Sequence, residues 1–188
     1  MAFSNPSHFV TGKVRLSFVH LSAPYAREPG AQPKYECQIL IPKADSATKA
    51  RMDAALAAAI KRGAEKGYLK GIPADKVKNP IYDGDGYRAD GYTPFPKECK
   101  GCWVITARSN NQPAVVDSAK NPIINDDEIY SGMYAKVAID FYAFARNSNK
   151  GIAAGLGNVM KVADGERLGA PRASVDDDFA DEDDDILG

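Results

Sequence analysis

Cysteine, histidine and tryptophan are scarce in this chain: three, two and one among 188 residues. Three cysteines (Cys37, Cys99 and Cys102) are too few and too odd in number for a disulfide framework. With His8 and His20 the only imidazoles, both near one predicted strand, no histidine-based catalytic or metal centre is suggested. No apolar run approaches the ~20 residues that cross a bilayer. The opening "MAFSNPSHFVTGKV" lacks the basic and apolar blocks of a secretory signal. A cytoplasmic setting without membrane contact is expected. Walker-type phosphate loops are absent, and the twelfth position of the calcium-like "DGDGYRAD" run is Pro94 where a carboxylate would be needed. That run reads as a turn-rich loop. "CKGC" has metal-ligand spacing, but a zinc ribbon needs a second such pair. Completion by Cys37 with a histidine, or a small metal enzyme built on the three cysteines, is a minor alternative. No catalytic residue, metal or cofactor is expected.

One further absence is local. Residues 173–188, ending in "DDDFADEDDDILG", contain eight acids and no base. Without them the remainder carries 24 bases against 17 acids, a net of about +7. A basic body with an acidic arm suggests that the body binds a polyanion for which the arm competes. A merely solubilising tail is the plainer alternative. The expected organisation is a folded domain over 1–172 and a disordered acidic tail over 173–188.

What is present is mostly β. "HFVTGKVRLSFVHL" alternates, placing Val10, Val14, Leu16 and Phe18 on one face and Thr11, Lys13, Arg15 and Ser17 on the other. "KYECQILIP" follows the same rule, with Tyr35, Cys37, Ile39 and Ile41 inward, Lys34, Glu36 and Gln38 outward, and Pro42 ending it. From Asp45 or Ser46 to about Lys66 the period becomes helical, with Gly67 as a stop. A long Gly- and Pro-rich stretch precedes the strand "CWVITARSN", which "PAVVD" would extend. "MYAKVAIDFYAFAR" is the clearest strand, with Met133, Ala135, Val137, Ile139, Phe141, Ala143 and Ala145 inward. The final strand, "GIAAGLGNVMKVADG", carries Gly155 and Gly157, which suit the bends of a small barrel. The fold expected is mainly β, an OB-like five-stranded antiparallel barrel with one helix and long loops.

Bases and aromatics interleave at positions read as outward or in loops. Lys13 and Arg15 lie on the first strand, Tyr25 and Arg27 follow it, and Lys34 opens the second. Arg88 and Tyr92 sit in the long loop with Tyr87 and Phe95. Trp103 and Arg108 lie on the third strand, Lys136, Tyr142, Phe144 and Arg146 on the fourth, and Lys150 just beyond. Single-stranded nucleic acid calls for this mixture, because its bases stack on rings while Lys and Arg displace counterions from phosphates. Several of these rings would serve equally well in a core.

The segments "YSGMYAKVAIDFYAF", "KGIAAGLGNVMKVADGERLG" and "DDDFADEDDDILG" resemble those of phage-encoded single-stranded DNA-binding proteins with an OB-fold, over nearly the whole chain. The resemblance implies a non-enzymatic, sequence-tolerant protein that coats ssDNA during phage DNA replication and recombination in the infected host cell. It further implies a tail that contacts replication and recombination proteins. The tail residues concerned are Asp176, Asp177, Asp178 and Phe179, then Asp181, Glu182, Asp183, Asp184 and Asp185, and finally Ile186 and Leu187. Two features depart from the pattern: the tail ends on Ile-Leu-Gly rather than an aromatic, and the helix follows the second strand. A protein-interaction or assembly module of the phage, using the tail without DNA binding, is the competing reading.

Overall fold

The computed structural model describes residues 4–169. Five long strands close a ring. Strand β2 (Val14–Tyr25) pairs with β3 (Lys34–Pro42), and β3 with β5 (Cys102–Ser109). β5 meets β8 (Asn149–Ala163), β8 pairs along its length with β7 (Tyr134–Arg146), and β7 returns to β2. Four of these five contacts are antiparallel and the β5–β8 seam is parallel, so the expected all-antiparallel ring is corrected at one seam. The seam arises because β8 returns to lie between β7 and β5, the Greek-key closure of an OB-like barrel. Short strands β1 (His8–Val10), β4 (Ile81–Asp83) and β6 (Val115–Val116) add to β7, β5 and β8.

Inward residues follow the period of two. Cys37, Ile39, Ile41, Ile105, Ala107, Met133, Ala135, Val137 and Ile139 are sealed in one core. Ala143 is only half-buried and Ala145 is exposed, since β7 runs past the barrel toward its hairpin. "PAVVD" does not extend β5: Val115 and Val116 form β6 alongside Val159 and Met160.

The first predicted strand is corrected most. It breaks at Gly12, so that β1 and β2 pair with different stretches of β7. Phe9 rather than Val10 enters the core. A second correction follows at Phe18. Ser17 pairs with Gln38 and His20 with Glu36, three steps on β2 against two on β3. This bulge puts Phe18 at φ 46° and turns its ring outward, 52% exposed.

The helix α1 (Ser46–Glu65) falls between β3 and β5, as the sequence period indicates, and buries Met52, Ala55, Ala59 and Gly63 against the barrel beside β7. Asp45 caps it, Oδ1 accepting from the Thr48 backbone N–H at 3.0 Å and Oδ2 from the Thr48 hydroxyl at 2.6 Å. Thr48 Oγ1 in turn accepts the Gly12 N–H at 2.8 Å. A Cβ on Gly12 would stand 2.5 Å from Asp45 Oδ2, so only glycine admits this approach. No helix among the described residues is long and apolar enough to cross a membrane. The predicted boundary at 172 and every tail residue named above lie outside the described residues.

Candidate nucleic-acid interface

Barrel register assembles one outer-face row from residues far apart in sequence. Asp140 on β7 lies opposite Gly155 on β8, Gly155 beside Arg108 on β5, Arg108 opposite Glu36 on β3, and Glu36 opposite His20 on β2. At its β2 end is a groove of about 250 Å³ lined by Phe18, His20, Tyr25, Arg27, Glu36, Gln38 and Thr106. His20 and Tyr25 stack with centroids 4.3 Å apart and planes 10° from parallel. Tyr25 is 43% exposed and lies opposite Lys34, so the ring and a base share the groove's edge.

Glu36 organises the charges. It is buried, and its Oε2 accepts from Arg27 Nε and pairs with Arg27 Nη2, each at 3.0 Å, and with Arg108 Nε at 2.8 Å. Arg27 reaches it from the β2–β3 connection and Arg108 from β5, so two strands and a connection place two guanidiniums at one point of the surface. Tyr142, half exposed, lies over Gly155, with its Cε1 3.6 Å from where a Cβ would stand, next to Arg108 on the same face. Without a side chain at Gly155 the ring and the guanidinium share an unobstructed surface.

Of the predicted contact residues, Tyr25 and Arg27 line the groove, Lys34 lies opposite Tyr25, and Arg108 pairs with the groove's Glu36. Tyr142 instead stands over Gly155 and lines a separate pocket with Arg62, Lys66 and Tyr68 of the helix side. Phe144, Arg146 and Lys150 extend along the β7–β8 hairpin, opposite Gly151, Asn149 and Ala145. Arg88 and Tyr92 sit on an exposed loop, Tyr92 being 77% accessible. That loop is tied to the groove where the Cys99 thiol approaches Gln38 Oε1 at 3.9 Å.

Four others stand apart, with visible reasons. Lys13 and Arg15 lie over the Tyr134 ring at 4.8 and 5.8 Å, and Arg15 donates to the carbonyls of Gly132 and Glu166. Trp103 packs against the core with Lys43 and Lys49 over it at 4.9 and 5.1 Å. Lys136 lines a different, apolar groove with Val10, Val116, Ala138 and Met160. For Lys13, Arg15 and Trp103 the base–aromatic pattern is satisfied inside the protein by cation–π contact.

Phe18, His20, Glu36, Gln38 and Thr106 were not foreseen as site residues. Glu36 and Gln38 were legible as outward, but their partners are distant in sequence. Phe18 is hidden by the bulge that reverses its phase.

The cysteines do not converge. Cys37 is in the barrel core, whereas Cys99 packs with Leu40 and Val104 in a separate outer cluster that Cys102 adjoins, so β3 lies between them. Burial pushes the Cys37 thiol up to about 12 and the Cys99 thiol to about 11, away from thiolate chemistry. Asp83 and Asp85 of the calcium-like run both engage Lys43, at 2.6 and 2.8 Å. Their carboxyls are held below the usual range chiefly by that ammonium.

A mainly β ring of five long strands with one helix, bearing an outer groove lined by aromatic rings and Arg27, is consistent with an OB-like fold. The chain belongs to the family described as the ssDNA-binding protein of Enterobacter phage Enc34, whose model matches residues 7–187. It is similar to the single-stranded DNA-binding protein from bacteriophage Enc34 in complex with ssDNA, with 30% identity and a TM-score of 0.71 over 87% of this chain and 90% of that one. A C-terminal truncation of the Enc34 protein matches with 30% identity and a TM-score of 0.69, over 86% and 88% of the two chains. The fold is shared with gp2.5, a single-stranded DNA-binding protein encoded by bacteriophage T7, with 18% identity and a TM-score of 0.53 over 96% of each chain. Among curated protein sequences no match is found. The family is one of DNA-binding proteins, not enzymes.

Proposed function

We propose that this chain binds single-stranded DNA with little regard to sequence and coats it during phage DNA replication and recombination. The observation that carries this reading is the groove that holds the His20–Tyr25 stack and Arg27, with Arg108 paired to its Glu36. Stacking serves any base, at about 1–3 kcal/mol each, and guanidiniums serve the phosphates. Family membership supports the same reading. The acidic segment 173–188 competes for this face as an intramolecular stand-in for nucleic acid, held at high effective concentration, and once displaced recruits replication proteins.

The deciding experiment is a salt-titrated binding assay on single and double strands, with the full chain and with a chain ending at Arg172. Tight, salt-sensitive binding of single strands, strengthened by the truncation, is expected. Absence of binding at low salt would leave the protein-interaction module, and unaltered affinity on truncation would remove the competing tail.

A further inference from the structure

An acid at the centre of a face that holds a polyanion needs its own explanation. Glu36 Oε2 takes the hydrogen bond from Arg27 Nε and the charge contact of Arg108, whose buried Nε makes no hydrogen bond, whereas Oε1 has only a long contact, 3.5 Å from Arg27 Nε. Gln38 and Thr106 face each other in the β3–β5 ladder and line the same groove. Beyond the weak Cys99 thiol contact to Gln38 Oε1, neither side chain has a hydrogen-bond partner among the described residues. Around these polar groups stand Phe18 and the His20–Tyr25 stack. The groove, at about 250 Å³, falls below the roughly 300–1,000 Å³ of sites that enclose drug-sized ligands. It suits one flat ring with a polar edge.

We propose that this groove receives one unpaired base per protomer and reads its Watson–Crick edge, with Glu36 Oε1 accepting a hydrogen from the base. The proposal rests on the single-strand reading above and adds what the groove recognises. All four bases carry a donor on that edge: the amino groups of adenine and cytosine, N1–H of guanine and N3–H of thymine. A carboxylate oxygen accepts from each of them. The Gln38 amide and the Thr106 hydroxyl both donate and accept, so they adapt to whichever groups flank that hydrogen. In a duplex the same hydrogens are committed to the complementary strand. An acid here therefore selects unpaired strands without selecting sequence, and the two guanidiniums fix its position while offsetting its charge toward the phosphates.

The test uses the full chain and two oligonucleotides of equal length, oligo(dT) and its N3-methylthymidine counterpart. The second keeps ring, sugar and phosphate and carries a methyl group in place of the edge hydrogen. The unmodified chain is expected to bind the methylated strand on the order of tenfold more weakly, as for loss of a hydrogen bond to a charged group. In Glu36→Gln that penalty should shrink several-fold, and the preference for single over double strands should narrow with it. Equal affinity of the unmodified chain for both strands overturns edge reading and leaves single-strand binding intact, with no variant needed. An identical penalty in Glu36→Gln also overturns it, because the methyl group would then act sterically. If neither strand binds, the single-strand reading fails first.

Discussion

Arg108 stands directly opposite Glu36 across the β3–β5 ladder, its Nε 2.8 Å from Glu36 Oε2, and the same oxygen anchors Arg27 at 3.0 Å. Two bases separated by 81 positions are thus fixed at one spot by one acid. Arg27 is the more exposed of the two, 48% against 30%, and is the one placed to reach a phosphate.

Arg27→Ala is expected to weaken ssDNA binding and to flatten its salt dependence. Each lost phosphate contact removes about 0.7 from the slope of log affinity against log salt for a single strand. Thermal stability should fall as well, because the buried Glu36 carboxylate is then left with Arg108 as its one cationic partner. An unchanged slope would show that Arg27 meets no phosphate.

Arg15→Ala should lower stability alone. Its Nε and Nη2 donate to Gly132 O and Glu166 O at 3.2 and 2.6 Å, stitching the segment after β8 onto β2. Losing two charge-assisted bonds at a partly exposed site is expected to cost about 1–3 kcal/mol, or several degrees in Tm. The salt slope for ssDNA should stay at its original value. A lower slope with normal Tm would return Arg15 to the binding face.

Phe18 offers a sharper separation of folding from function. A bulge residue in the left-handed region is ordinarily glycine, and a bulky side chain there costs on the order of 1–3 kcal/mol. Phe18→Gly relieves that strain and removes an exposed ring. Stability by urea denaturation should hold or rise, while ssDNA affinity falls about 5- to 150-fold, the equivalent of one lost stacking contact. A destabilised variant with normal affinity would mean that the ring serves packing.

These contrasts mark where the sequence was legible. Alternation in "MYAKVAIDFYAFAR" and the helical period after Asp45 are local properties, so β7 and α1 could be read directly. The reversal at Phe18 could not, because an inserted residue shifts phase without altering composition. Nor could the Glu36–Arg27–Arg108 cluster, which exists only because the barrel closes β5 against β3. Lys13, Arg15 and Trp103 carried the right residue types for stacking and charge, but found partners within the fold.

Trp103 gives an optical check on that division. It lies opposite Ile41 on the core side of β5, beneath Lys43 and Lys49. The groove residue Thr106 is three positions further along the strand on the other face, about 10 Å away at strand rise. Adding oligonucleotide should therefore leave emission excited selectively at tryptophan nearly unchanged, and any quenching should fall on the tyrosines. Lys43→Ala, which uncovers the ring, should shift that emission without any DNA. Strong quenching by ssDNA would place the strand over the helix side of the barrel.

The cap of α1 links stability to pH. Hydrogen bonds from the Thr48 hydroxyl and backbone N–H hold the Asp45 carboxyl below its usual value. The folded state therefore favours the ionised form, and this stabilisation is present in full above the ordinary carboxylate range. It is lost as pH falls through the lowered folded value. Asp45→Ala is expected to cost about 0.5–2 kcal/mol at neutral pH, as for other lost N-caps. The gap from the unmodified chain should then close as pH drops from about 5 toward 2. Thr48→Val also leaves the Gly12 N–H without its acceptor, so part of its cost should persist at every pH. Urea unfolding at several pH values distinguishes the two, and a pH-independent gap for Asp45→Ala would show that the carboxylate's charge contributes nothing to the cap.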